Sequence, residues 1–324
     1  MKLRRIKRGH DLHVELLAPQ GWIEVAKCLE ELGQRCPADA ERLATDIVAL
    51  LAAPAQTRAA IAQAAQTLGP PLPGDGGTVL PFEPRSFRDF MLYEGHAVAA
   101  ARGFVRTRMP AAYQVVRAYE ALTGATFPKL KPHALWYRQP TYYMGNHLTF
   151  ATDGEPVAVP SYAKTLDYEL ELGFVLAHPL RDAAPETAEA AIGGFVVLND
   201  FSARDVQLAE MASGFGPQKS KHFRSAMSAV VVTADEILPR WRNLKGCVRL
   251  NGALIAEPST ADARWSLGEV LAHASRGEQL YPGELFGSGT LPEGSGIETG
   301  HELKPGDVIE IGIEGIATLA NPIV

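Results

Sequence analysis

Leu166-Asp167-Tyr168-Glu169-Leu170-Glu171-Leu172 is the stretch on which the fold depends. Its apolar and acidic residues alternate with the period of a β-strand. Asp167, Glu169 and Glu171 then share one face, and Leu170 and Leu172 the other. Glu169 and Glu171 would stand about 6–7 Å apart along that face. Two carboxylates so close repel each other, and one takes up a proton unless a cation lies between them. Gly173-Phe174-Val175-Leu176 prolongs the apolar run and points to a strand inside a sheet. A solvated edge strand with its charges outward fits the same alternation, and this stretch alone leaves both readings open.

Downstream the pattern stays β. Phe195-Val196-Val197-Leu198 reads as a buried strand that ends in Asn199-Asp200-Phe201-Ser202-Ala203-Arg204-Asp205-Val206-Gln207. A strand end that runs into a short polar helix is a frequent place for ligands, although Asp200 would also serve as a helix cap. Lys219 and Lys221 follow in a Gly/Pro loop. Val230–Val232, Cys247–Leu250 and Ile309–Ile313 read as further strands, with Asn251-Gly252 as a type I′ hairpin turn. Gly287-Ser288-Gly289-Thr290 reads as a tight turn whose backbone can come close to a ligand.

Upstream, residues 20–70 carry helical spacing: Ile23, Ala26, Leu29 and Leu32, then Leu43, Ile47 and Leu51. Gly69–Gly77 has linker composition, so a small, mainly helical N-terminal domain is expected over 1–78 and a larger domain over 79–324. Asp89 precedes an Ala-rich helix that carries His96; a helix cap and a core histidine are the plain alternatives for the two. Trp136–Asn146 is aromatic and polar-tipped, a composition that suits a binding-site wall.

Composition narrows the function. The net charge of −6 gives no basic footprint for nucleic acid. Three cysteines without metal spacing (Cys28, Cys36 and Cys247) fit a reducing cytoplasm, and no signal peptide or membrane span is expected. No P-loop, post-strand G-x-G-x-x-G or G-x-S-x-G occurs, which counts against a nucleotide cofactor and an ordinary serine hydrolase. Four carboxylates stand out instead: Asp89, Glu169, Glu171 and Asp200. Oxygen donors select hard cations such as Mg²⁺, Mn²⁺ or Ca²⁺, with Lys221 or Arg204 offsetting part of the negative charge. His96 is then a suitable general base.

These residues resemble the fumarylacetoacetate hydrolase family. The resemblance rests on Leu166–Glu171, on Asn199–Gln207, on Lys219-Ser220-Lys221-His222-Phe223, on Gly287–Thr290 and on the closing Pro305-Gly306-Asp307 strand. It covers about residue 80 to the end. It implies a mixed β-roll catalytic domain, hence an α+β fold, and a homodimer. It also implies Asp89, Glu169, Glu171 and Asp200 as ligands of Mg²⁺ (Mn²⁺ or Ca²⁺ as alternatives). His96 would be the catalytic histidine, Glu298 its acidic partner and Lys221 an oxyanion donor. Tyr143, Arg204, Gln207 and Thr290 would contact substrate. The expected reaction is hydrolysis of a C–C bond in a β-diketo acid. Decarboxylation, isomerisation or hydration of a 2-keto acid is the enzymatic alternative, and a catalytically silent binding protein the non-enzymatic one.

Overall fold

The computed structural model describes residues 1–33, 36–69 and 77–324. In chain order its strands are β1 (Lys2–Arg8), β2 (Asp11–Ala18), β3 (Gly21–Glu24), β4 (Gly77–Thr78), β5 (Phe87–Phe90), β6 (Tyr142–Gly145), β7 (Phe150–Ala151), β8 (Glu169–Leu176), β9 (Ile192–Asn199), β10 (Ser225–Met227), β11 (Val230–Thr233), β12 (Gly246–Leu250), β13 (Ala253–Ala256), β14 (Leu285–Ser295), β15 (Val308–Ile313) and β16 (Ala317–Pro322). Strands β13-β12-β15-β16 form a four-stranded sheet, and the other twelve form a larger one ordered β3-β2-β1-β11-β9-β8-β14-β5-β6, with β4, β7 and β10 off that path. The helices are α1 (Val25–Leu32), α2 (Ala40–Thr45), α3 (Ile47–Ala52), α4 (Ala55–Thr67), α5 (Glu94–Arg108), α6 (Pro110–Thr123), α7 (Pro185–Ala190), α8 (Arg204–Ala212), α9 (Ala234–Ile237), α10 (Leu267–Ser275) and α11 (Gly296–Thr299). The architecture is the expected α+β mixture around a sheet-rich core.

Strand β8 lies between β9 and β14, antiparallel to both, and all of it is buried. The edge-strand reading is thereby excluded. Leu170, Leu172, Phe174 and Leu176 share a core with Ile309, Ile311 and Leu319 of the smaller sheet and with Val270 and Leu271 of α10. On the opposite face Val175, with Val196 and Leu198 of β9, packs against Cys28, Leu29, Leu43, Leu50 and Leu51 of α1–α3. Alternation places Gly173, Glu171 and Glu169 on this same second face. The N-terminal helices therefore cover one end of the face, and the acidic end faces a pocket instead.

The N-terminal segment departs from the mainly helical expectation. Helices α1–α4 fill the 20–70 span, but residues 2–24 are three strands joined to the large sheet. β1 runs antiparallel to β11 with Lys2 opposite Val232 and Leu3 opposite Val231, so the sheet continues across the division at residue 78. The basic run conceals the strand because its charges are paired: Arg4 with Glu15, Arg5 with Glu83 and Arg8 with Glu24. The readable signal was Val14, Leu16 and Ala18, buried at period two. Apart from Gly69 and Gly77, the expected linker lies outside the described residues.

Two turns were expected. Asn251 (φ 53°) and Gly252 (φ 82°) do join β12 to β13 as a hairpin. Gly287–Thr290 is no turn; it is the interior of β14, where the register to β8 shifts. No helix among the described residues is long and apolar enough to cross a membrane.

Candidate active site

Strand pairing brings the site together. β5 lies parallel to β14 with Asp89 opposite Gly287, and Tyr143 of β6 is opposite Asp89 on its other side. Thr290 is opposite Glu171, and Asp200 follows the last residue of β9. Asp89, Glu171 and Asp200 thereby converge, with one oxygen of each within 4.8 Å of the others, and all three are buried. Neither aspartate is a helix cap: α5 begins at Glu94 after Tyr93, and α8 is preceded by Ala203. Gly287 makes the close approach feasible, since a Cβ there would lie 2.7 Å from Glu171 Oε2 and inside contact of Asp89 Oδ1.

Burial and the nearby Asp200 push the Asp89 carboxyl well above the usual range, and burial with Asp89 does the same to Glu171. Asp89 Oδ1 and Glu171 Oε2 are buried without a hydrogen-bond partner. Orphaned acceptors of this kind are costly unless something positive meets them. The donor set is all oxygen and anionic, which fits a hard divalent ion such as Mg²⁺.

Glu169 belongs to the site differently. Its carboxylate is held by Lys221 and by Arg204, 2.7 Å away, and it is not one of the three clustered residues. Burial opposes its charge, but the two cations outweigh burial and hold it well below the usual carboxylate range. Lys221 spends its three N–H bonds on Glu169, on Asp200 Oδ2 (2.6 Å) and on the Asp200 carbonyl (3.3 Å). It can reach a substrate oxygen only by releasing one of these. Asp200 also accepts from the Tyr143 hydroxyl at 2.6 Å and from Ser225 at 3.1 Å. The Thr290 hydroxyl donates to Glu171 across 3.4 Å.

A second group faces the same space. His96 Nδ1 lies 3.0 Å from Glu298 Oε2. With Nδ1–H donating to the carboxylate, Nε2 keeps its lone pair. Ser295 Oγ and the Glu293 amide also donate to Glu298, at 2.7 and 3.1 Å, and fix its rotamer. Helix α5 carries His96, and α11 carries Glu298. Gly103, two turns after His96, lets the helices meet, because a Cβ there would clash with the Ile297 carbonyl.

A pocket of about 330 Å³ joins the two groups. Its wall includes Asp89, His96, Tyr143, Glu169, Glu171, Gln207, Lys221 and Thr290. Arg204 does not line it. It lies behind Glu169, opens onto a separate cavity of about 670 Å³ that holds none of the three clustered carboxylates, and donates to Gln207 Oε1 at 2.9 Å. Arginine can only donate, so the Gln207 oxygen is fixed toward it and the amide NH₂ is left as a donor. Arg204 is therefore placed to orient Glu169 and Gln207.

The connecting residue missed in the sequence is Asp167. It accepts from Arg204 at 2.7 Å and from the backbone amides of Gly296 (2.7 Å) and Ile297 (2.9 Å). It thus ties the cation behind Glu169 to the start of the helix that carries Glu298. Its place beside Glu169 and Glu171 in the alternation was the available signal, but backbone capping by a distant helix leaves no mark in spacing.

Residues 112–324 match the family model described as the fumarylacetoacetate (FAA) hydrolase C-terminal domain. That span includes Glu169, Glu171, Asp200, Lys221 and Glu298, while Asp89 and His96 precede it. The mitochondrial oxaloacetate tautomerase FAHD1 of Mus musculus is 30% identical over 182 residues, which is 56% of this chain and 79% of that one. Among solved structures, the fumarylacetoacetate hydrolase of Exiguobacterium antarcticum superposes with a TM-score of 0.66 at 21% identity, covering 100% of this chain and 99% of that one. The 5-carboxymethyl-2-hydroxymuconate delta-isomerase of Mycobacterium smegmatis gives 0.64 at 19%, covering 100% and 98%. At such identities the two structures speak to the fold alone.

Proposed function

We propose, from the premise that this chain belongs to the fumarylacetoacetate hydrolase family, that it hydrolyses a C–C bond in a β-diketo acid. The observation that carries this reading is the His96–Glu298 pair, 3.0 Å apart, with His96 on the wall of the pocket that Asp89 and Glu171 of the carboxylate cluster also line. Asp89, Glu171 and Asp200 would hold a divalent ion, Mg²⁺ by preference, with Glu169 beside them. Bound there, the ion would supply Lewis-acid polarisation of substrate oxygens.

The chain's own residues do the rest. His96 Nε2 takes a proton from water, and Glu298 keeps the ring oriented and stabilises the imidazolium. The water oxygen bonds to one carbonyl carbon of the substrate. The Gln207 NH₂ group, and Lys221 if it releases a carboxylate, donate to the oxygen that becomes negative. The adjacent C–C bond then breaks, its electron pair stays on the departing carbon as an enolate, and the His96 proton returns to that carbon. The products are a carboxylic acid and a 2-oxo acid. A homodimer in a reducing cytoplasm is the proposed setting.

A second reading has its own support: the likeness in sequence to an oxaloacetate tautomerase. There His96 would move a proton between carbon and oxygen, and no bond to water would form. The test is acylpyruvate cleavage with Mg²⁺ or Mn²⁺ and with EDTA, beside decay of the oxaloacetate enol, in wild type and His96→Ala. Metal-dependent cleavage lost in the variant supports hydrolysis. Enol decay without any acylpyruvate cleavage shifts the assignment to tautomerisation.

A further inference from the structure

The second cavity, of about 670 Å³, shares no lining residue with the pocket of the carboxylate cluster. Its volume is that of a small-molecule site. It is built from the far sides of the elements that hold the first pocket's groups. The buried pair Asp167 and Arg204 lines it, and Arg204 holds Glu169 and Gln207. Arg204 Nη2, 2.7 Å from the Asp167 and Glu169 carboxylates, makes no well-aligned hydrogen bond with either. Phe104 and Thr107 of α5 form one wall, and Gly296 and Ile297 of α11 another. These are the helices that carry His96 and Glu298, and they meet at Gly103.

The rim of this cavity is cationic. Arg106 and Arg108 reach it from the last turn of α5, and Lys304 from beyond α11, with His301 beside them. The acids there are Glu302 and Asp307, and Asp307 spends both oxygens on Asn251 Nδ2 and the Lys304 amide, each at 2.8 Å. Among the described residues none of the three cations has an ion-pair partner; Arg106 donates only to the Ile297 carbonyl, across 3.3 Å. Cations at a helix C-terminus are favourable in any fold, which accounts for Arg106 and Arg108 singly. It does not account for their sharing one cavity with Lys304. Guanidinium groups match the geometry of carboxylate and phosphate oxygens.

We propose that this cavity is an effector site: a small dianionic oxyanion, a dicarboxylate or a phosphate, binds to Arg106, Arg108 and Lys304 and raises turnover in the first pocket. An anion held by the end of α5 and by Lys304 bridges the two helices across their contact at Gly103. It thereby keeps His96 against Glu298. The kinetic half of the proposal rests on the reading of that pair given above; the binding half does not.

The test is calorimetric titration of the Mg²⁺-loaded full chain with succinate, with inorganic phosphate and with uncharged succinamide, at low salt because exposed cations are screened. One ion should bind per chain, and the tighter of the two anions names the source. Succinamide should bind about tenfold or more weakly, the low end for a charge-assisted hydrogen bond. Arg108→Gln and Lys304→Gln should each weaken the anion by a similar factor, and circular dichroism checks their folding. Asp89→Asn, which disables the carboxylate cluster, should leave anion binding unchanged. Saturating anion should raise kcat by about twofold or more at constant KM, on whichever of acylpyruvate and oxaloacetate enol the protein turns over. Binding of neither anion overturns the proposal. So does binding that survives both Arg108→Gln and Lys304→Gln, or that a folded Asp89→Asn abolishes, since the ion then sits elsewhere. A raised KM or a lowered kcat overturns the coupling. Titration needs no turnover, so an inactive protein that still binds the anion here would count against the hydrolase reading alone.

Discussion

In the proposed reaction His96 and Glu171 divide the work at the scale of single residues, and substitution should separate them. His96→Ala removes the general base and should lower kcat by about 10²–10⁴. It touches none of the three clustered carboxylates, so stabilisation by Mg²⁺ should persist in a thermal melt. Glu171→Gln should abolish both turnover and that stabilisation. The pH dependence follows from the same cluster. Burial and mutual repulsion raise Asp89 and Glu171 above their ordinary values of 3.8 and 4.5. The metal-free fold thus binds protons more tightly than the unfolded chain, so this contribution is fully present at low pH and is lost as pH rises through the raised values. A divalent ion competes with those protons. The Mg²⁺-induced rise in Tm should be small near pH 5 and grow toward pH 8, reaching the equivalent of about 2.7 kcal/mol at 100 times the Kd. A rise that is flat with pH, or falls, would mean that the ion binds elsewhere.

Helices α5 and α11 set the distance between His96 and Glu298. Gly103→Ala would push α5 off the Ile297 carbonyl of α11. Overpacking of this kind costs about 1–3 kcal/mol, and here it also parts His96 from Glu298. The variant should lose kcat more than KM, with the acidic limb of the pH–rate profile displaced, whereas plain destabilisation would leave the profile in place. Asp167→Asn keeps the shape but removes the charge that faces buried Arg204. Arg204 keeps Glu169 as a partner, so the loss should be that of one charge-assisted hydrogen bond, about 1.5–3 kcal/mol, measurable by urea unfolding. These element-level contacts explain what the sequence could and could not disclose. The acidic strand, the strand end at Asp200 and the His96 helix were legible, because period and residue type are local. The packing of α5 on α11 through Gly103 was not, because a helix that ends at Arg108 and one that begins at Gly296 share no pattern. Glu169 was read as one ligand of four; its engagement by two cations depends on Lys221 and Arg204 arriving from separate segments.

At the scale of the whole molecule the question is what residues 1–78 do for the site. They add β1–β3 to the edge of the sheet at β11, and their strands and helices supply most of a core that includes Val175, Val196, Leu198, Val231 and Leu285. Leu51 of α3 lies against Gly193 and Gly194 of β9, where the absence of side chains lets the helix approach the strand. The same face of β8 and β9 that is covered here carries the carboxylates further along, so the helices back the sheet on which the cluster is built. Removing residues 1–78 should expose this apolar face and leave one edge of β11 unpaired, giving a fragment that binds hydrophobic dyes or aggregates. A cooperative, monodisperse melt of the 79–324 fragment would instead make the N-terminal segment an independent domain. Leu51→Ala probes the contact more gently. A buried Leu→Ala change costs about 2–5 kcal/mol, so Tm and the urea midpoint should fall. The Mg²⁺ response and the activity per folded molecule should hold, since Leu51 touches no residue of the pocket. Loss of activity beyond the folded fraction would show that the helices transmit strain to the carboxylates, and the sheet would then be a lever on the site rather than a fixed floor.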